Sequence, residues 1–169
     1  MKRPLLVAGS VLAVTLLAGC ASQMSAPSAR ATLAARSGST VAGDVMFAER
    51  QGVIRVEARV AGLSPGEHGF HIHEIGDCSA PDASSAKGHY NPAGKPHGHH
   101  DSDNRHGGDL PNLTANAQGE AHFVADLKGL TLSEISGRSV VIHADPDDYK
   151  SQPAGNSGKR VACGVIMAH

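Results

Sequence analysis

The chain has 169 residues, the length of one domain, and a formal net charge of −1 at pH 7. It contains no run of basic residues, so we expect no nucleic-acid partner. Aromatic residues make up 3% of the chain and Trp is absent, so the core must be built from Val, Ile, Leu and Ala. Histidine is abundant, and seven of the 11 histidines lie between positions 71 and 106.

The first 19 residues have the pattern of a signal peptide. Lys2 and Arg3 form a short positive region, and residues 5–17 form an apolar stretch that is too short to span a membrane comfortably. Cleavage would remove both cations and change the net charge from −1 to −3. We therefore predict that the protein is exported.

The end of this segment, LAGC at residues 17–20, resembles a bacterial lipobox. The resemblance implies cleavage before Cys20 and attachment of lipid to its thiol; an ordinary secretory signal with an incidental cysteine is the alternative. Ala21 follows the cysteine, which favours the outer membrane of a Gram-negative cell, with the protein facing the periplasm. Residues 20–30 are rich in Ser, Ala and Pro and predict a flexible tether, so the folded domain is expected at 31–169.

From residue 31 onward, apolar and polar residues alternate with the period of β-strands. The alternation is cleanest at 53–60, where one face is apolar and the other charged, as is typical of an antiparallel sheet. No amphipathic helix is evident, and 130–136 is expected to be a loop. Seven or eight short strands with two long loops predict an all-β sandwich or flattened barrel. Strands are predicted at 31–36, 40–48, 53–60, 67–74, 120–127, 138–143 and 161–167.

Several histidines are placed where they could share a metal ion. His71 and His73 are two residues apart on a predicted strand, so both side chains point to the face opposite Phe70 and Ile72. His143 ends another strand. Imidazole is a preferred ligand of zinc and copper, so these positions indicate a metal site.

A second set of candidate ligands lies in Gly-rich backbone. His97, His106 and Asp109 provide three of the four ligands that a tetrahedral zinc site requires, and His89 could supply the fourth. The alternative is a His-rich segment that binds metal loosely and performs no chemistry. That alternative does not explain why the histidines come from two strands as well as from a loop.

The remaining histidines are expected to be solvated. His68 is predicted on the same strand face as His71, but we expect it, like His122 and His169, to be a surface residue. His99 and His100 are also expected to be solvated, with recruitment of metal ions or competition with the ligands as the alternative.

Two cysteines remain beyond Cys20. Cysteines of an exported domain most often pair, which predicts a disulfide between Cys78 and Cys163. Two buried free thiols are the alternative.

With these residues in view, the chain resembles the copper–zinc superoxide dismutases of the bacterial envelope over roughly residues 31–169. The resemblance implies an eight-stranded antiparallel Greek-key sandwich, and this family is itself an established example of that architecture. The motifs that carry it are GFHIHE at 69–74, GHYNP at 88–92, His97, RH at 105–106, GDL at 108–110, VVIH at 140–143 and KRVACGVI at 159–166.

The resemblance implies one copper and one zinc ion per chain. His89 would bridge the two ions as an imidazolate, and Asp147 would link the copper ligand His71 to the zinc ligand His97. Cys78 and Cys163 match the family disulfide. The implied copper ligands are His71, His73, His89 and His143, and the implied zinc ligands are His89, His97, His106 and Asp109.

The implied activity is dismutation of superoxide to oxygen and hydrogen peroxide, with copper cycling between Cu(II) and Cu(I). Arg160 would attract and orient the anion beside copper. Because a net charge of −3 opposes an anionic substrate, attraction must be local, and Lys150 and Lys159 are candidate contributors. Residues 80–87 are expected to form an exposed flap.

Two other functions are compatible with the composition. One is a non-catalytic copper- and zinc-binding lipoprotein of the same fold, which would lack a copper ligand or Arg160. The other is a structural adhesion module, which predicts no closed ligand set. The resemblance leaves open whether the protein is a monomer or a homodimer.

Overall fold

The computed structural model describes residues 27–169. The predicted signal peptide, the lipidation site Cys20 and most of the tether lie outside the described residues. The strands are β1 (Ser28–Ala35), β2 (Ala42–Arg50), β3 (Val53–Ala61), β4 (Gly66–His68), β5 (Phe70–His73), β6 (Leu113–Ala115), β7 (Ala121–Lys128), β8 (Ser139–His143), β9 (Arg160–Val165) and β10 (Met167–Ala168). One turn of α-helix, α1, spans Leu132–Ile135, and a 3-10 turn spans Ser84–Ala86.

One antiparallel sheet organises the domain. Its strands follow the order β5-β8-β9-β1-β2-β3-β7, with β10 paired to β1, and β4 and β6 form a separate pair. The first part of β1 pairs with β2, and Ala34 and Ala35 pair with β9, so β1 passes between the two halves of the sheet. The chain leaves β3 near one edge and returns in β5 at the other. This curled, nearly all-β architecture confirms the predicted fold class.

The main apolar core draws side chains from both halves of the sheet. In β3 the alternation is as predicted, with Ile54, Val56 and Ala58 buried. The rings of Phe70 in β5 and Phe123 in β7 meet edge to face, with centroids 5.6 Å apart. Among residues 27–169, no helix is long and apolar enough to cross a membrane.

The sheet begins earlier than the predicted domain boundary at 31. Ser28 is already paired with Ala48 of β2, and Ala29 is fully buried. Residues 28–30, which we predicted as the end of the tether, are therefore part of β1 because every second side chain from Ala29 onward enters the core.

The strand predicted at 67–74 is two strands in the structure. β4 pairs with β6, whereas β5 pairs with β8, and the change of partner occurs at Gly69. The prediction that His68 is a solvated residue is wrong. His68 is 2% exposed, and its two ring nitrogens lie 2.8 Å from the carbonyl oxygens of His143 and Ser64.

A short helix was not predicted, because four residues are too few for an amphipathic period. Thr131 accepts a hydrogen bond from the Glu134 amide, and the Glu134 side chain accepts one from the Thr131 amide. This capping box satisfies amide groups that a helix start leaves free. The expectation of a loop at 130–136 therefore misses α1.

A disulfide joins Cys78 to Cys163, with 5.7 Å between their Cα atoms, which confirms the predicted pairing. The Cys78 carbonyl also accepts a hydrogen bond of 2.8 Å from Nε of Arg36. The long β5–β6 connection is thereby fixed to β9 and to the end of β1.

The prediction that residues 80–87 form an exposed flap is also wrong in part. Ala83 and Ala86 are fully buried and pack with Val141 beside the disulfide. The apolar side chains of this segment are drawn into a small second core, so the segment forms a wall of the site described next.

Candidate metal centre

Four histidines direct one ring nitrogen each into a common buried space. Nδ1 of His71 and Nε2 of His73, His89 and His143 are buried and have no hydrogen-bond partner within residues 27–169. The four ligand atoms lie within 4.8 Å of one another. Leaving a buried polar atom unpaired is costly, and one ion bound by all four nitrogens would satisfy the whole set. The residues therefore fit a copper ion.

The other ring nitrogen of these histidines is held by the protein. Nδ1 of His73 donates to the Lys87 carbonyl at 2.9 Å, and Nδ1 of His143 donates to the Gly158 carbonyl at 3.3 Å. Because Nδ1 carries the proton, Nε2 presents its lone pair to the site. Burial holds the pKa of both histidines well below the usual value, so both rings are neutral, as metal ligands must be.

Strand pairing sets the positions of these ligands. His71 lies opposite Val141 and His73 opposite Ser139 in the antiparallel pair formed by β5 and β8. His143 is the last residue of β8, where the register against β9 shifts. The predicted two-residue spacing and the strand-end position thus bring three histidines from two adjacent strands together.

A second group gathers around one carboxylate oxygen. Oδ1 of Asp109 lies 2.8 Å from Nδ1 of His89, 3.0 Å from Nδ1 of His97 and 3.4 Å from Nδ1 of His106. Two ligands bound to one tetrahedral zinc ion are about 3.3 Å apart. The group therefore has the composition and the spacing of a zinc site, and His89 belongs to both groups.

The loop backbone holds Asp109 in place. Its Oδ2 accepts hydrogen bonds from the amides of His106 at 2.9 Å and Gly98 at 3.2 Å. Burial alone would raise the pKa of Asp109, but the contacts with His89 and His97 hold the pKa of this carboxyl well below its usual range. At Gly108 a methyl group would overlap the carbonyl oxygen of Ile72, so only glycine allows this close approach.

Asp147 connects the two groups, at the position predicted for it. Its Oδ2 lies 2.8 Å from Nε2 of His71, and its Oδ1 lies 2.9 Å from Nε2 of His97. Such a contact fixes the orientation and tautomer of both rings. Burial lowers the pKa of His71 to about 4. Burial would also lower the pKa of His97, but Asp109 and Asp147 on either side raise it to about 9.

Two further residues support Asp147 and were not predicted. The Tyr149 amide donates to Oδ1 of Asp147 at 2.7 Å. Gly155 has φ of +64°, and a methyl group there would overlap Oδ1 of Asp147. Gly155 therefore supplies the space in which Asp147 reaches both histidines. A lone glycine in a polar loop gives no sequence signal for that role.

Arg160 is held beside the copper-type group by backbone carbonyl groups. Its Nη1 donates to the Ala83 carbonyl at 2.7 Å and its Nη2 to the Lys87 carbonyl at 2.6 Å. The Lys87 carbonyl also accepts from His73, so one peptide group orients a candidate ligand and the arginine together. Arg160 is paired with His143 across β8 and β9.

Most of the remaining candidates lie on the surface, but the expectation that His100 is solvated is wrong in part, because its side chain is 25% exposed and its Nδ1 is buried. Lys150 and Lys159 are exposed, as are His122 and His169. The side chain of His99 is 47% exposed and does not belong to either buried group.

Comparisons with known proteins agree with this geometry. The family model for copper/zinc superoxide dismutase (SODC) matches residues 41–166. A curated protein of Aquifex aeolicus (strain VF5), superoxide dismutase (Cu-Zn) 2, is 42% identical over 165 residues, which cover 92% of this chain and 96% of that protein. Superoxide dismutase (Cu-Zn) 1 of the same organism is 46% identical over 123 residues, which cover 68% of this chain and 72% of that protein.

The fold is also similar to a solved structure. The crystal structure of the clock protein EA4 superposes with a TM-score of 0.77 at 38% identity, covering 85% of this chain and 96% of that chain.

Proposed function

The chain belongs to the copper/zinc superoxide dismutase family, and we propose that it acts in the bacterial cell envelope, held to the membrane by a lipid on Cys20. It converts superoxide to oxygen and hydrogen peroxide and uses copper and zinc as cofactors. The proposal on location is supported by the signal-peptide pattern of residues 1–19 and by the lipobox-like ending.

We further propose that copper is held by the four histidines that present unpartnered nitrogens. The observation that carries this assignment is the convergence of four buried lone pairs, three of which belong to rings with a donor nitrogen fixed by a carbonyl group or by Asp147. The proposed copper ligands are His71, His73, His89 and His143.

The proposed zinc ligands are the group around Asp109. Zinc has no redox chemistry and prefers four nitrogen and oxygen ligands, and this group offers three imidazole nitrogens and one carboxylate oxygen. Bound copper supplies the one-electron redox couple, whereas zinc fixes the geometry. The set comprises His89, His97, His106 and Asp109.

Two residues act on the substrate in this proposal. His89 directs Nδ1 to the zinc group and Nε2 to the copper group, so Nε2 is the atom at which the ring takes up and releases a proton. Arg160 carries a fixed positive charge next to the copper ligands, where it binds and orients the superoxide anion. The exposed Lys150 and Lys159 add local positive charge to a chain that is otherwise weakly acidic.

Metal analysis joined to a superoxide assay tests the catalytic assignment. The chain without residues 1–20 is expected to contain one copper and one zinc and to be active, whereas His143→Ala loses copper and activity and keeps zinc. His122→Ala removes an exposed histidine and serves as the control. Full activity without copper would overturn the mechanism, and bound copper without turnover would favour the non-catalytic lipoprotein.

A separate experiment tests the location. We expect the full chain, expressed in a Gram-negative host, to incorporate labelled palmitate and to fractionate with the outer membrane. Cys20→Ser is expected to remain unlabelled and to be absent from that fraction. Equal membrane association of both proteins would contradict anchoring through Cys20.

A further inference from the structure

A third group of metal-binding side chains lies on the surface of the loop between β5 and β6. We propose that His99, His100 and Asp101 form an additional site that binds one Cu(II) ion in the protein already loaded with its two buried metals. The three residues each offer a ligand atom within 4.8 Å of the others. Two imidazoles and a carboxylate bind divalent first-row metals, and Cu(II) is bound most strongly among them at a given site.

The ligand atoms are close enough to converge on one ion. Nδ1 of His99 accepts a hydrogen bond of 3.2 Å from the Asp101 amide, which a bound ion would replace. Nε2 of His100 lies 3.4 Å from Oδ2 of Asp101, and Nδ1 of His99 lies 3.9 Å from the same oxygen. Ligands that each lie about 2.0 Å from one ion are roughly 3 Å apart. The Asp101 side chain is 82% exposed, so its carboxylate can reorient toward an ion without disturbing the core.

The two rings are already held together. Their centroids are 4.1 Å apart with an angle of 33° between the planes. The ring of Tyr149 packs edge-on against His99 with centroids 4.7 Å apart, and the Tyr149 hydroxyl accepts a hydrogen bond of 2.8 Å from the Asn112 amide. The site is therefore backed by a fixed aromatic side chain, which reduces the entropy lost when the ligands are ordered.

One nitrogen of this group has no other role in the structure. Nδ1 of His100 is buried and has no hydrogen-bond partner among residues 27–169. Nε2 of His100 is the ring nitrogen nearest Asp101, and it presents the lone pair that a metal requires when the proton is on Nδ1. In contrast, both ring nitrogens of the nearby His97 are engaged, with Asp109 and with Asp147. The surface group is thus separate from the zinc group.

The site is tested on the protein with two metals per chain, as established by elemental analysis. Cu(II) is added alone, and binding is measured by equilibrium dialysis and by the electron paramagnetic resonance spectrum of the added ion. The wild type is expected to bind a third equivalent at micromolar Cu(II) with nitrogen hyperfine structure. We expect binding at least about tenfold weaker in His99→Ala/His100→Ala. His122→Ala/His169→Ala, which also removes two exposed histidines, should bind as the wild type does.

Asp101→Asn gives an independent test, because it keeps both rings and removes only the charged oxygen. We expect it to weaken the third equivalent while the two buried metals stay bound. The proposal is overturned if the wild type binds no third equivalent below about 100 µM, or if the His99→Ala/His100→Ala protein binds it with wild-type affinity.

Discussion

The two buried groups that we propose to bind copper and zinc, called the copper group and the zinc group below, share His89 but are built from different kinds of backbone. The copper group is assembled mainly from β5 and β8, whose pairing places His71, His73 and His143 before any ion binds. The zinc group lies in a loop between β5 and β6 that has little regular structure. Its position depends instead on the bonds that Asp109 accepts from the loop amides.

This difference indicates which metal ligands the fold holds in position before an ion binds. Backbone pairing fixes strand ligands through bonds that do not involve their side chains. The loop ligands are fixed through side chains, and those side chains are the same groups that bind the ion. We therefore expect the copper group to tolerate loss of zinc, and the loop to depend on zinc for its order.

The largest expected effect is that of Asp109→Ala. The change removes the oxygen shared by three imidazoles and leaves the amides of Gly98 and His106 without a partner. We expect zinc to be lost and the free energy of unfolding to fall by about 2–5 kcal/mol. Copper should remain bound to the strand histidines. Elemental analysis and denaturant unfolding measure these outcomes.

Hydrogen exchange extends the same comparison. In Asp109→Ala, amides of residues 97–109 should exchange faster while those of β5 and β8 keep their protection. Asp109→Asn, which keeps the size of the side chain, should lose zinc with a smaller loss of stability. Equal loss of copper and zinc, or equal loss of protection in loop and strands, would show that the two groups are not built independently.

Gly155→Ala is expected to displace Asp147, which links His71 of the copper group to His97 of the zinc group, without removing a metal ligand. The added methyl would overlap Oδ1 of Asp147 and push that carboxylate away from His71 and His97. We expect metal affinity to fall by about 10- to 100-fold, and more for zinc than for copper, because the loop has less other support. Competition with chelators of known affinity measures both constants.

Gly129→Ala is the matched control for that change. Gly129 also has a positive φ, +75°, but nothing lies within 4 Å of a methyl group placed there. It therefore carries the same backbone strain without the overlap. If both alanine variants lose metal equally, strain in the loops and not displacement of Asp147 is the cause.

The pH dependence of the metal-free chain gives a third test. Protonated His97 between Asp109 and Asp147 stabilises the folded state fully below the unfolded-state pKa of about 6.5, and this contribution is lost as pH rises through its folded pKa of about 9. We expect the melting temperature of the metal-free chain to fall by roughly 3–8 °C from pH 6.5 to 9.5.

The loaded protein should lack this fall, because the ion replaces the proton on His97. His97→Asn should lack it in the metal-free state as well. Thermal unfolding at matched pH values tests all three proteins, and a fall of the same size in His97→Asn would assign the effect to other groups.

Local patterns predicted most of the longer strands and identified the histidines that the structure brings together. Alternating residues predicted β3 almost to its ends, and the two-residue spacing of His71 and His73 predicted a shared face. The prediction failed at His68 because it placed His68 on the face of His71, whereas a period of two puts residue 68 on the buried face of Phe70 and Ile72. The burial of His68 depends on the carbonyl group of His143, which is distant in sequence.

The groups that hold the site residues in position were harder to predict, because they are backbone carbonyl groups and a glycine that lacks a side chain. Arg160 is oriented by the carbonyl groups of Ala83 and Lys87, and any residue type supplies a carbonyl. Gly155 acts by lacking a side chain. The helix α1, in contrast, had a readable signal, because the capping box formed by Thr131 and Glu134 is written in the sequence.

A substitution in that capping box has the smallest expected effect, and it tests whether zinc binding depends on the loop or on the stability of the whole domain. Thr131→Ala removes the side-chain oxygen that accepts from the Glu134 amide, which should cost about 1 kcal/mol and lower the melting temperature by roughly 3 °C. Thr131→Ser keeps the oxygen and should be neutral. Because α1 contacts neither metal group directly, chelator competition should give wild-type affinities for both ions. If zinc affinity fell together with the melting temperature in Thr131→Ala, zinc retention would follow the stability of the whole sheet, and the order of the loop would not be a separate property.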